Sequence, residues 1–150
     1  MWGRVSDPSR PSNARLVFQF PETTVPLKFR RLSATFAICR LSPNAPVPAA
    51  IVDMPFISIT RTSEELSIVC PVNQAPQNAK CELPWTCFKL EGPFPFSLTG
   101  VLASVIDPLA QSGIPIFAIS TFDTDYLLVK EEFAESALKT LQAAGHELIS

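Results

Sequence analysis

Residues 113–130 read GIPIFAISTFDTDYLLVK: two short apolar runs around a polar hinge that holds Asp123 and Asp125. Alternating apolar residues rich in Ile, Phe, Tyr and Val predict strands over 114–121 and 126–130, joined as a hairpin. Upstream, Leu98, Val101, Leu102, Val105 and Leu109 recur at helical spacing and predict a helix over 97–112. Ser97 is placed to cap it and Gly113 to stop it. Pro108 falls inside, which predicts a kink or a broken last turn after Ile106. Downstream, 131–144 carries Glu131 and Glu132 in its first turn and Lys139 in its last half, and Gly145 closes it, the pattern of a second helix. Trp85 to Leu90 supplies a strand before the first helix, and Leu148 with Ile149 a final edge strand. The order strand, helix, strand, strand, helix, strand is the ferredoxin-like βαββαβ unit of an α+β fold.

The chain before this unit is less regular. Residues 1–33 read as a flexible leader, in which Leu16–Phe20 and Leu27–Phe29 are short extended pieces parted by Pro21 and Pro26. ATFAICRL (34–41) is a strand. Pro43, Pro46, Pro48 and Pro55 then exclude a long helix. FISITR (56–61) and 66–70 form a hairpin around the turn 62–65, where Arg61 and Glu64 or Glu65 suggest an exposed ion pair. PVNQAPQNAKCEL (71–83) reads as a linker. Residues 34–83 thus look like a degenerate copy of the 84–150 unit, with its helix lost.

Composition narrows the function. The chain has 150 residues, 47% of them hydrophobic and 17% charged, with a net charge of −2. A chain of this length buries roughly 70% of its unfolded surface, enough for one core shared by two small halves. No run approaches the ~20 apolar residues of a membrane span. A weakly negative chain has no field to gather nucleic acid. Arginines cluster before residue 34, which raises a transit peptide, but Pro8, Pro11 and Asp7 count against one. The expected compartment is the cytoplasm. The four cysteines, Cys39, Cys70, Cys81 and Cys87, lack the paired close spacing of a zinc site. Without a signal peptide they read as small hydrophobes packed in a reducing compartment. The one histidine, His146, follows a helix-ending glycine and is poorly placed to serve a nucleophile. P-loop, G-x-G-x-x-G, G-x-S-x-G and H-E-x-x-H patterns are absent, so neither an enzyme nor a cofactor is expected.

Two places could bind a ligand. At Gly100 and Val101 the predicted helix start leaves N–H groups unpaired and favours a carboxylate, and Gly100 allows close approach; alternatively Gly100 only lets the helix pack. Asp123 and Asp125 suggest a cation site, an acid–base pair or a solvated turn. By residue type alone the turn is favoured. Ser120 and Thr121 offer hydroxyls beside them. Trp85, Phe94 and Phe96 read as core.

EGPFPFSLTGVLASVIDPLAQSGIPIFAISTFDTDYLLVKEE (91–132) resembles the C-terminal ACT domain of the CASTOR and aspartate-kinase type. FISITRTSEELSIVCP (56–71) is similar to the N-terminal half of the same family, and the resemblance spans roughly 33–147. It implies an amino-acid-binding regulatory module that catalyses nothing. It implies ligand contacts at the helix start, Gly100 and Val101, and at an acidic residue before the second hairpin strand. Asp125 matches that place and Asp123 less clearly, with Ser120 and Thr121 adjoining. The expected partners are a small amino acid and a second copy of the chain or a partner enzyme. The rival reading is an interaction subunit that regulates a biosynthetic enzyme without a ligand of its own.

Overall fold

The computed structural model describes residues 26–92, 94 and 100–150. Among them seven strands form one sheet: β1 Lys28–Leu41, β2 Ser58–Arg61, β3 Leu66–Pro71, β4 Lys80–Leu90, β5 Phe117–Ser120, β6 Asp125–Lys130 and β7 Glu147–Leu148. The order across the sheet is β2-β3-β1-β4-β6-β5, with β7 pairing β1 in parallel. Two α-helices, α1 Val101–Gln111 and α2 Ala134–Ala143, lie between β4 and β7 in chain order. Single turns of 3₁₀ helix occur at Ala49–Ile51, Val72–Gln74 and Glu131–Phe133.

The long strands β1 and β4 unite the molecule. β1 is 14 residues long and begins at Lys28, so residues 28–33 are strand where a flexible leader was expected. Their charges find distant partners: Arg30 Nε donates to Glu91 Oε1 at 2.9 Å and Arg31 Nη1 to Glu135 Oε1 at 3.2 Å. The remaining leader residues, 1–25, lie outside the described residues. β4 likewise runs through the expected boundary at 83/84, so the supposed linker ends as sheet. Between β7 and β4 the sheet holds the first residues of β1, so β7 does not pair with β4.

Three apolar clusters fill the structure. Phe29, Phe88, Leu90, Leu127 and Val129 face Val105 and Leu109 of α1 and Ala137 and Leu141 of α2. In the other half of the sheet, Cys39, Leu41, Ile68 and Cys70 pack on Ile51 and the irregular chain around Val47 and Ile57. That chain carries four prolines between Ser42 and Pro55 and covers the sheet where a helix cannot form. A third cluster, Phe36, Val69, Trp85, Cys87 and Leu128, holds residues of the opposite face of the strands, as strand alternation requires.

Several expectations are revised. α1 does not break after Ile106; it runs through Pro108 to Gln111. A proline at 108 cannot donate to the carbonyl of Ser104, four residues back. The imidazole of His146 fills the vacancy, with Nε2 2.9 Å from that oxygen. The Leu27 N–H donates to His146 Nδ1 at 3.1 Å, so Nδ1 is the acceptor and Nε2 carries the proton. The ring, 4% exposed, is therefore structural. Arg61 pairs with no carboxylate among the described residues. It donates to the carbonyls of Pro43 and Ala45, and Glu65 pairs with Arg40 at 3.0 Å.

The cysteines divide. Cys39 and Cys81 stand opposite one another on β1 and β4, with Cα atoms 4.2 Å apart, and are joined by a disulfide; packed free thiols were expected of both. Cross-strand register, not linear spacing, brings them together. Cys70 and Cys87 are buried free thiols. Burial raises both, Cys87 to about 12, which keeps them protonated and inert.

Candidate functional site

The chain reverses twice at one end of the sheet. β4 ends at Leu90, and the segment after it leads to α1, which runs back over the sheet. β5 then climbs to the turn 121–124 and β6 descends. The start of α1 and the 120–125 turn therefore share one end of the sheet, and both belong to the helix-covered side. Strand alternation puts Asp125 on the face of Leu127 and Val129, which pack against α1.

Backbone contacts lock the turn to the segment after β4. Phe94 N–H donates to the Asp123 carbonyl at 3.0 Å. Thr124, 7% exposed, donates its hydroxyl to the Leu90 carbonyl at 2.6 Å. A Cβ on Gly92 would lie 2.8 Å from the Asp123 carbonyl oxygen and 3.2 Å from Thr124 Cβ, so only glycine lets the two segments meet. Within the turn, Thr121 N–H donates to the Thr124 carbonyl at 2.8 Å, and Thr121 Oγ1 donates to the same oxygen at 2.9 Å. Hydroxyls thus fulfil the backbone's needs, as turn Thr residues commonly do.

The six expected ligand residues separate into groups. Gly100 has φ +80° and is exposed, and it precedes α1 with no side chain capping the helix among the described residues. Its carbonyl accepts from Ser104 N–H at 3.0 Å. The first-turn N–H groups, beginning with Val101, have no capping side chain among the described residues, and a helix start leaves such groups with donor capacity. Residues 95–99, including the expected Ser97 cap and the Phe96 expected in the core, lie outside the described residues. Ser120 faces Asp125 across β5 and β6, and its hydroxyl donates to Asp125 Oδ1 at 2.5 Å. Oδ2 of Asp125 has no hydrogen bond among the described residues. Thr121 is spent on its own turn. Asp123 uses its carbonyl to hold Phe94, and its exposed side chain borders a cleft of about 240 Å³ with Lys89, Gly92 and Thr124.

Sequence reasoning missed Gly92, Thr124 and Glu91. Glu91 N–H donates to the Lys28 carbonyl at 2.9 Å, and its carboxylate receives Arg30. The Arg30 hydrogen bond, reinforced by the charges of Arg30 and Lys89, holds Glu91 below the usual carboxylate range against its partial burial. The signal for Gly92 was present in Glu-Gly-Pro directly after an apolar strand, where a glycine marks close backbone approach. Among the described residues no group of His, Cys, Asp and Glu is arranged to hold a metal ion, and no helix is long and apolar enough to cross a membrane.

A largely antiparallel sheet packed on one face by α1 and α2 defines a small α+β domain. The ACT domain family model matches residues 80–143, and a second family model, for an N-terminal domain, matches 34–78. The chain belongs to the ACT domain proteins. Among solved structures it is similar to a protein from Agrobacterium tumefaciens, 45% identical over 83% of this chain and 92% of that one, with a TM-score of 0.77. A Vibrio cholerae protein of unknown function is 18% identical over 79% and 90%, with a TM-score of 0.63. The regulatory subunit of aspartate kinase from Thermus thermophilus, in its ligand-free form, is 16% identical over 74% and 93%, with a TM-score of 0.52. With these last two the chain shares its fold.

Proposed function

We propose that the protein is an amino-acid-binding regulatory module that performs no catalysis and acts in the cytoplasm. The observation that carries this reading is the Ser120–Asp125 hydrogen bond at the end of the sheet from which the chain leaves β4 toward the start of α1. The ligand carboxylate rests on the N–H groups at Gly100 and Val101, where the helix dipole favours a negative charge. Its ammonium, or a cationic side chain, meets Oδ2 of Asp125, while Ser120 fixes the carboxylate by its bond to Oδ1. Thr121 and Asp123 shape the turn, and Asp123 adds negative potential from the rim. A charge-assisted hydrogen bond contributes about 1.5–3 kcal/mol net. After the cost of immobilising a small ligand, micromolar to millimolar affinity follows, the range suited to reporting a metabolite pool.

The strand order supports reading residues 34–83 as a reduced copy of the unit. The elements β1, Ala49–Ile51, β2, β3, Val72–Gln74 and β4 repeat the order of β4 to β7, with single 3₁₀ turns in place of both helices. Such a copy has no helix start long enough to bind a carboxylate, so one site per chain is expected. The short edge strand β5 and the neighbouring α1 form the surface on which a second copy or a partner enzyme pairs. A thermal-shift screen of the common amino acids, each at about 10 mM, tests the reading: bound ligand raises the melting temperature with log concentration. If no amino acid moves it, the ligand-free interaction subunit takes the place of this reading.

A further inference from the structure

On the face of the sheet turned away from α1 and α2 there is a second recess, of about 300 Å³. Phe36, Phe56 and Tyr126 wall it. Phe36 and Phe56 meet edge to face with ring centroids 5.3 Å apart, and Phe56 tilts over Tyr126 at 4.6 Å. Lys89 is the single charged residue of its lining. The described ion pairs are Arg30–Glu91, Arg31–Glu135 and Arg40–Glu65, so Lys89 makes no close ion pair among the described residues. Glu91, whose carboxyl feels the charge of Lys89, is hydrogen-bonded by Arg30, and Asp123 borders a separate cleft with Lys89, Gly92 and Thr124.

The third wall is a break in the ladder. Arg31 faces Phe88 and Thr35 faces Thr86, so Leu32, Ser33 and Ala34 of β1 stand opposite Cys87 alone. On the other side of β1, β7 pairs only at Lys28 and Phe29, and β3 only from Phe36 onward. The ladder passes these three residues by on both sides, and all three line the recess. A bulge leaves its extra residues unpaired and re-aims the chain, and such devices gather beside binding sites. An apolar recess with a few convergent polar groups is the usual form of a small-ligand site, and this volume is at the small end of the range.

We propose that this recess is a second ligand site, distinct from the one at Gly100 and Asp125, that takes a small carboxylic acid with a planar apolar body. The ring packs among Phe36, Phe56 and Tyr126, where edge-to-face and offset contacts are favourable. The carboxylate pairs with Lys89, and the bulge at Ser33 and Ala34 supplies further hydrogen-bonding groups. A cationic ligand is disfavoured by the one charge present, and a neutral apolar ligand leaves that charge without use.

The test is an amide-resolved NMR titration of the whole chain with 3-phenylpropionate and, separately, its neutral amide. The acid is expected to shift the amide signals of Leu32 to Phe36, Phe56 and Tyr126. The amide, and the acid against Lys89→Gln, are expected to bind roughly 10- to 100-fold more weakly, the loss of a charge-assisted contact. Equal affinity for acid and amide overturns the proposal, as do shifts centred on Gly100 and Asp125 or no shifts at all. Should Lys89→Gln fail to fold, the comparison of acid with amide on the unaltered chain still decides. The amino-acid screen at the first site is independent of every one of these outcomes.

Discussion

Replacing Gly92 by alanine probes the seam between the segment after β4 and the 121–124 turn. The added Cβ would meet the Asp123 carbonyl oxygen at 2.8 Å, Phe94 N at 3.1 Å and Thr124 Cβ at 3.2 Å. The first of these is backbone, held in place by the Phe94 N–H and by the Thr124 hydroxyl bonded to Leu90. It cannot yield as the tip of a flexible side chain would. Overpacking of this kind costs about 1–3 kcal/mol, offset by about 0.4–1 kcal/mol because alanine restricts the unfolded chain. A net loss of about 1–2 kcal/mol follows, and for a chain of this length each kcal/mol lowers the melting temperature by roughly 2–4 °C. Gly100→Ala is the informative companion. No described atom lies within 4 Å of a Cβ there, but φ is +80°, so its penalty of about 1–2 kcal/mol is conformational. Urea denaturation gives both magnitudes, and amide NMR separates their causes. Gly92→Ala is expected to move the signals of Phe94, Asp123 and Thr124, and Gly100→Ala to leave them in place. A Gly92→Ala protein as stable as the parent, with those signals unmoved, would refute the close approach.

Asp125→Asn is expected to keep the fold and weaken an amino acid's binding by about 1.5–3 kcal/mol in calorimetry; Asp123→Asn is expected to cost less, and equal losses would point to a diffuse electrostatic effect. Alkylation of the unfolded, unreduced chain is expected to label Cys70 and Cys87 only, and labelling of all four cysteines would remove the disulfide. Reducing Cys39–Cys81, which closes a loop of sequence separation 42, is expected to cost about 4 kcal/mol on the chain-entropy estimate, read as a lower urea midpoint. Because Glu91 titrates lower when folded, its contribution is full above the ordinary glutamate range and is lost as pH falls through the lowered value. Arg30→Gln is expected to flatten that acid limb of the stability profile, and an unchanged limb would show the pair to be inert.

The parts of the fold legible in sequence were those with a local signal. The hairpin of β5 and β6, the body of α1 and the strand ATFAICRL all follow from periodicity within a few residues. Lys28 to Ser33 resembled a leader because the carboxylates that make their charges tolerable are 61 and 104 residues away. The pairing of Cys39 with Cys81 depends on a register that no linear spacing encodes. At the candidate site the positions of Gly100 before α1 and Asp125 at the start of β6 are local and readable in sequence. The supports, Gly92 and Thr124, are not, since their function is to let two distant backbones touch. Lys89 carries no signal in the sequence, because a lone lysine in an apolar strand acquires meaning only once its neighbours on the next strands are known.

His146 joins residues that are far apart in the chain: Leu27, 119 positions before it, and Ser104, 42 positions before it. Its ring substitutes for the donor that Pro108 lacks, so α1 is completed by an atom from outside itself. Substituting His146 by alanine would strand the buried Leu27 N–H and the part-buried Ser104 carbonyl at once, and the second half of α1, the entry to β1 and the stretch around β7 would open together. Hydrogen exchange would then show these three as one cooperative unit with a common opening energy. Pro108→Ala would restore the missing helical donor and uncouple them. A single imidazole thereby ties the start of β1, the middle of α1 and the approach to β7 into one joint.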